Sequence, residues 1–431
     1  MRAPGYDPAD VSEPPPPSEP LPRRFGRYVL FDQIGEGGMA RIYLGRQSTA
    51  LGGERLVVVK QILPNLASSQ EFSNLLIEEA KLAAGLAHGN VVQVLDLGRE
   101  GDVLYIAMEY VEGFDLSDLL KRCSRTKTPL PVEFSLLIII ETLRALDFAH
   151  RKKDADGRPL NIVHRDVSPS NVLVSFDGEV KLCDFGIARA MGVGAELPSE
   201  AIQGKAGYMS PEAAAGGNLD ARSDVFAAGV ILWELLAGRR LYRGDGGRPP
   251  SLEQARRAEI PTLPARGLPN EARLYGIVSR ALARNPDERW PSARELSREL
   301  EDYAGESALL ASPLRVGEWL MQTFGAEIVE RRRSRERAAK RHAEGTTNPE
   351  LDSLAGVAAP QHPDPVTVTE LGSLAVEESP IAEPSAPSLV GIAHSRRPES
   401  VADEEKRTPS FVLWMMIGVV IAVIVIAAVM R

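Results

Sequence analysis

The sequence predicts an α+β chain with two lobes, a small strand-rich one followed by a larger helical one, and a C-terminal helix long enough to cross a membrane. Three observations carry this. Between Tyr28 and Ile62 the apolar stretches are short, rich in β-branched residues and punctuated by glycines, the pattern of strands and turns. From about Pro131 onward the apolar residues recur at helical spacing, as in VEFSLLIIIETLRALDFAH, DVFAAGVILWELLAG and EARLYGIVSRALA. Phe411 to Met430 are 20 residues without a charge, about 30 Å of helix, which matches the hydrocarbon core of a bilayer.

The elements follow in order. Residues 1–26 hold four consecutive prolines, Pro14 to Pro17, among acidic and polar residues, and are expected to form a disordered arm. The opening MRAPGYDPAD has no apolar run, so no secretory leader is expected. Residues 27–303 form the main domain. In it, Tyr28 to Ile34 reads as a strand leading into a glycine cluster, Arg41 to Arg46 as the returning strand, and Leu56 to Ile62 as a third. A helix is expected to start at Ser68, with the capping box Ser68-x-x-Glu71.

Residues 304–344 are expected to be a helical extension whose basic run, ERRRSRERAAKR, reads as a solvated face, with anionic lipid as the alternative contact. Residues 345–410, rich in Pro, Ser, Glu and Ala without periodicity, read as a flexible linker. Residues 411–430 are the expected transmembrane helix. It has no polar face, which separates it from a core helix. Arg396, Arg397, Lys406 and Arg407 precede it and only Arg431 follows, so the preceding bulk is expected in the cytoplasm.

Composition narrows the function. The chain has 431 residues, 50 Lys and Arg against 59 Asp and Glu, and a formal charge of −9, which argues against nucleic acid as a partner. Two cysteines, Cys123 and Cys183, exclude a disulfide framework and fit a reducing compartment. Cys183 reads as an inert buried thiol, and His88 and His150 as ordinary helix-end residues.

The chemistry lies in a set of short motifs. Gly35-Glu36-Gly37-Gly38-Met39-Ala40 sits between two strands, where glycines let backbone N–H groups approach phosphate. The strand–turn–strand setting argues against a dinucleotide-binding turn, which would open a helix. Lys60 ends the apolar run Val57-Val58-Val59 and needs an anion. On the following helix Phe72, Leu75, Leu76, Leu82, Ala83 and Leu86 form an apolar stripe with Glu79 in its middle, while Glu78 lies about 100° away. A carboxylate on an apolar face needs a cation, so Glu79 is the expected partner of Lys60. Farther on stand His164-Arg165-Asp166, then Asn171, then Asp184-Phe185-Gly186. Asp166 can accept or orient a hydroxyl proton, and Asn171 and Asp184 offer the oxygen ligands that Mg²⁺ prefers.

In this order and spacing, the motifs over residues 27–303 resemble a eukaryotic-type protein kinase of the bacterial Ser/Thr branch. The resemblance implies the bilobal protein-kinase fold, with ATP and Mg²⁺ as cofactors and protein hydroxyls as substrates. Ile34 to Ala40 and Ile42 would cover the ATP phosphates. Lys60, oriented by Glu79, would hold the α- and β-phosphates. Asp166 would be the catalytic base, and Asn171 and Asp184 would bind the metal. Glu109 and Val111 would hydrogen-bond adenine, and Asp115 would reach the ribose. Glu212, in Ser210-Pro211-Glu212, would pair with Arg289, and Asp224 would brace the catalytic loop. Arg165 would receive a phosphorylated residue of the activation segment, for which Ser199 is the hydroxyl available. A homodimer is the candidate arrangement for trans-autophosphorylation. The stretch Asp166-x-x-Pro-x-Asn171 resembles the Ser/Thr rather than the Tyr type.

Four departures stand out. Ala40 replaces the third loop glycine. Ser168 stands where such kinases carry a lysine that contacts the γ-phosphate, and Lys205 stands where they carry a threonine. The last two look like an exchange, with Lys205 supplying the missing cation. Residues within Lys152 to Asn161 also lengthen the approach to His164. The alternative class is a nucleotide-binding scaffold without transfer, for which Ser168 is the support.

Overall fold

Alternating apolar residues from Arg23 onward build an antiparallel sheet that forms the first lobe. A computed structural model describes residues 20–37, 40–48, 53–64, 70–185, 206–242 and 250–345, with side chains up to 339 except those of 71 and 72. The lobe holds β1 (Arg23–Phe25), β2 (Tyr28–Glu36), β3 (Ala40–Ser48), β4 (Glu54–Ile62), β5 (Val94–Glu100) and β6 (Val103–Glu109) in the order β1-β2-β3-β4-β6-β5. Helix α1 (Gln70–Ala84) packs against β5. In β4 the period of two puts Val57 and Val59 in the core and turns Lys60 to the opposite face.

The sheet starts earlier than expected. Arg23–Phe25 lie inside the supposed disordered arm, yet they pair with Tyr28 to Leu30 through a turn at Gly26. The reason is Phe25, which is 5% exposed and sets its ring edge-on to Tyr105 at 5.3 Å. Its burial offsets the ordering of a short strand that composition alone marks as polar.

The second lobe is helical: α2 (Leu116–Thr126), α3 (Val132–His150), α4 (Pro211–Ala214), α5 (Ala221–Ala237), α6 (Leu252–Arg257), α7 (Glu271–Ala281) and α8 (Ala293–Glu306). The residues of α5 from Ser223 to Leu236 are buried, because α3, α7 and α8 all pack around it. A small sheet of β7 (Gly113–Asp115), β8 (Val172–Ser175) and β9 (Val180–Leu182) joins the lobes below the cleft. Residues 152–161 fold as a small turn closed by a Lys153–Pro159 bridge and by the Leu160 amide on the Lys152 carbonyl, with Asp154 accepting the amides of Asp156 and Arg158.

The extension departs most from expectation. Pro313–Gly345 is one helix, α9, of 33 residues, about 50 Å long. Val316, Leu320, Phe324 and Ile328, four residues apart, are all at most 5% exposed and join the core of the helical lobe. Burial of such side chains is worth roughly 1.5–3 kcal/mol each, so this part of α9 belongs to the domain. Gly178 and Gly317 allow the contact: a Cβ at Gly178 would meet the Pro313 carbonyl, and one at Gly317 would meet the carbonyl of Phe176. Farther along, Ala338 and Ala339 pack on Phe31 and Leu44 of the first lobe. Among the described residues no helix is long and apolar enough to cross a membrane; the apolar segment 411–430 lies outside them.

Candidate active site

The site lies where β4, α1, β9 and the loop after α3 meet. Lys60 reaches across the cleft, and its Nζ lies 2.9 Å from Asp184 Oδ1. Burial opposes the charge on Lys60, but the Asp184 carboxylate outweighs it and raises the lysine pKa. The carboxylate that α1 buries is Glu79, 5% exposed, while Glu78 faces solvent. That agrees with the helical register read from the sequence. Leu82, expected on the same stripe, is instead 38% exposed at the helix end. Glu79, Arg165 and Phe185 line one small cavity of about 60 Å³. The expected start of this helix at Ser68 lies outside the described residues.

The catalytic loop is tied down by a buried carboxylate. Asp224, near the start of α5, accepts the amides of His164 at 2.8 Å and Arg165 at 2.9 Å. His150 Nε2 donates to the same group at 2.7 Å. Burial opposes ionisation of Asp224, yet the His150 hydrogen bond and the backbone donor of His164 hold its pKa below the ordinary value. Asp224, expected to brace the catalytic loop, thus lies bonded to the start of that loop. The part played by His150 is not legible in the sequence, where a histidine at a helix end has no pattern around it. His164 in turn donates Nε2–H to the Cys183 carbonyl at 2.9 Å and accepts the Asp166 amide on Nδ1 at 3.2 Å, which fixes one neutral tautomer.

These bonds hold two unusual backbone conformations. Arg165 (φ 66°) and Asp184 (φ 62°) occupy the left-handed region, at a cost of order 1–3 kcal/mol each. Asn171 Nδ2 donates to the Asp166 carbonyl at 2.7 Å and to its Oδ2 at 3.1 Å. The Cys183 amide donates to the Asn171 carbonyl at 2.9 Å, tying the loop to β9 beside Asp184. The amide nitrogen of Asn171 is thus committed to Asp166. Asn171 and Asp184 carry oxygen donors of the hard kind that a divalent cation takes. Among the described residues no cluster of three His, Cys, Asp or Glu side chains stands ready for a metal. Burial and the neighbouring Asp184 push the Cys183 thiol well up, in keeping with an inert cysteine.

In the glycine turn, Gly35 pairs with Ile42 and the Gly37 amide closes on the Ala40 carbonyl at 3.0 Å. Glu36 accepts from Gln33 and Arg41. Ile34 is 39% exposed. Ala40 is 4% exposed and packs with Ile62 and Leu76, so the methyl that replaces the third glycine fills core space. Gly38 and Met39 lie outside the described residues, as do Gly186, Ser199 and Lys205. Ser168 is 7% exposed, and its hydroxyl lies 2.9 Å from that of Ser170.

At the far edge of the cleft, Glu109 accepts from the Gln93 amide at 2.8 Å and from Lys181 at 2.9 Å. Val111 follows it at the junction of the lobes. Asp115 caps α2 by accepting the Asp118 amide, and burial raises its pKa. Below the cleft, Arg289 is 1% exposed and grips Glu212 with two 2.7 Å bonds. Burial would raise the Glu212 pKa, but Arg289 and Ser223 bring it down to about 2.

A β-rich lobe, a helical lobe and this set of groups between them define a phosphotransferase cleft. The family model described as "Protein kinase domain" matches residues 28–300, and the chain belongs to that family. It is similar to a tyrosine-protein kinase, MasK, of Myxococcus xanthus, at 38% identity over 72% of this chain and 48% of that protein. It is also similar to the serine/threonine-protein kinase PrkC of Bacillus subtilis, at 31% identity over 75% of this chain and 47% of that one. A crystal structure of the PknI kinase domain of Mycobacterium tuberculosis, in a doubly substituted form, aligns with a TM-score of 0.50 at 31% identity. It covers 67% of this chain and 100% of that one. The chain spans about half the length of these curated relatives.

Proposed function

We propose that the chain transfers the γ-phosphoryl group of Mg·ATP to serine and threonine hydroxyls of proteins. The observation that carries the reading is the convergence of Lys60, Asp184, Asn171 and Asp166 in one cleft, on a loop fixed by Asp224. Bound Mg²⁺ would neutralise charge on the phosphates, with Asn171 and Asp184 as its protein ligands. Asp166, oriented by the Asn171 amide, accepts or orients the proton of the attacking hydroxyl. Asp184 would hold the metal, and Lys60, now 2.9 Å from Asp184, would then be free to hold the phosphates, oriented by Glu79. Glu109 and Val111 hold adenine and Asp115 the ribose. Arg165 would receive a phosphate on Ser199, and Lys205 would supply the cation that Ser168 does not. The apolar segment 411–430 anchors the chain, with its catalytic domain at the cytoplasmic face of a membrane, and a second copy serves as partner in autophosphorylation.

Phosphoamino-acid analysis of the products decides the hydroxyl class. Incubation of the full chain with radiolabelled ATP and Mg²⁺ should yield phosphoserine and phosphothreonine. Phosphotyrosine alone, the class named for the similar MasK, would reject the serine/threonine reading. Binding of nucleotide with no labelled product would favour the scaffold alternative, for which the Ser168 hydroxyl beside Ser170 is the supporting observation.

A further inference from the structure

The basic run read from the sequence as a solvated face is in large part not one. Arg332 makes a forked contact with Glu112, Nε at 3.1 and 3.0 Å and Nη2 at 2.8 Å from its carboxylate oxygens. Arg331 donates to the Gly113 carbonyl at 3.4 Å, and Arg335 donates to the Tyr110 hydroxyl. Tyr110, Glu112 and Gly113 are the residues that join the lobes immediately beside Glu109 and Val111. Two guanidiniums also lie against Phe114 of β7: Arg122, 4.4 Å from the ring centroid, and Arg331, 5.0 Å from it. Arg122 is itself bonded to Glu327 of α9. The inner side of the same segment is fixed by Lys181 on Glu109. One helix thus sits in the core of the helical lobe through Phe324 and Ile328, grips the connecting segment through its arginines, and touches the first lobe through Ala338 and Ala339.

We propose that α9 is a positioning element for nucleotide: Arg331, Arg332 and Arg335 hold the connecting segment from outside the cleft, so that docking of α9 and binding of ATP favour each other. This rests on the reading that Glu109 and Val111 hold adenine. Charge and geometry set the partnership. A guanidinium fork matches a carboxylate bidentately and stacks on an aromatic face, as a lysine would not. Coupling between two sites is reciprocal, so nucleotide must tighten the helix as much as the helix tightens nucleotide. A helix that only added stability would show neither effect. Arg331, Arg332 and Arg335 are positioning residues and touch no substrate.

The test uses the full chain. Combined Arg331→Ala, Arg332→Ala and Arg335→Ala should raise the KM for ATP about tenfold, within the usual span of such couplings, with kcat changed less than about twofold. Arg332→Glu alone should raise KM about threefold, and adding Glu112→Arg should restore it, since the swap rebuilds the pair with charges exchanged. The swap guards against a triple variant that fails to fold. Hydrogen exchange of the unmodified chain with and without a non-hydrolysable ATP analogue separates the two readings. The proposal expects protection at residues 109–113 and also at 328–339. Protection at 109–113 with none at 328–339, or a KM untouched by Arg332→Glu, overturns the strap and leaves the adenine site standing. Absence of protection at 109–113 overturns the adenine reading, and the strap proposal with it.

Discussion

At the scale of single residues, Arg289, 1% exposed, holds Glu212 through two 2.7 Å bonds. Glu212 and Arg289 are 77 residues apart and nothing in their spacing joins them; the pair is legible only through the resemblance to a protein kinase. Asp224 is legible through the same resemblance. His150, Lys181 and the Glu109 carboxylate are not, because their partners come from other elements and leave no local pattern. The Glu212–Arg289 pair also gives a pH dependence. The folded-state pKa of Glu212 is lowered from 4.5 to about 2. Its contribution is therefore fully present above about pH 4.5 and is lost as pH falls toward 2. Glu212→Gln, which leaves Arg289 buried and unpaired, should cost about 3–5 kcal/mol at pH 7. The gap in melting temperature between the two proteins should narrow steadily below pH 4.5. A gap that stays constant from pH 7 to pH 3 would show that the fold does not lower the Glu212 pKa.

At the scale of elements, periodicity reads the helices well and the edges poorly. The register of α1 puts Glu79 inward and Glu78 outward, as found. β1 escapes a sequence reading because three residues carry no period, and only the tertiary burial of Phe25 makes them a strand. The arginines of α9 escape it because a guanidinium satisfied by Glu112 or stacked on Phe114 looks, in sequence, the same as one in water. The α1 register yields a prediction for the proposed chemistry. Glu79→Ala should lower turnover by about 10²-fold, the cost of misplacing Lys60 relative to the phosphates. Glu78→Ala should leave turnover within about twofold, since exposed charges contribute little. Steady-state rates of the two variants decide it, and a larger loss from Glu78→Ala would place the wrong carboxylate beside Lys60.

At the scale of the whole molecule, the two lobes are legible because strand-like and helix-like sequence fall in separate halves of the domain. Their junction is less so, since α9 closes it from outside through residues more than 200 positions from their partners. The apolar segment 411–430 leads to a direct expectation. A chain ending at residue 409 should move from the membrane fraction to the soluble fraction and keep its activity; retention in the membrane would reject a single anchor.

Asp166 is held by Asn171 and by a loop braced on Asp224, and the proposed phosphoryl transfer depends on it. The most direct measurement compares label transferred from ATP to a protein substrate by the unaltered chain and by Asp166→Asn, with nucleotide affinity measured in parallel. Transfer should fall at least about 10²-fold in Asp166→Asn, the lower range for loss of a general base, with ATP affinity changed less than about threefold. Equal transfer by both proteins would contradict it.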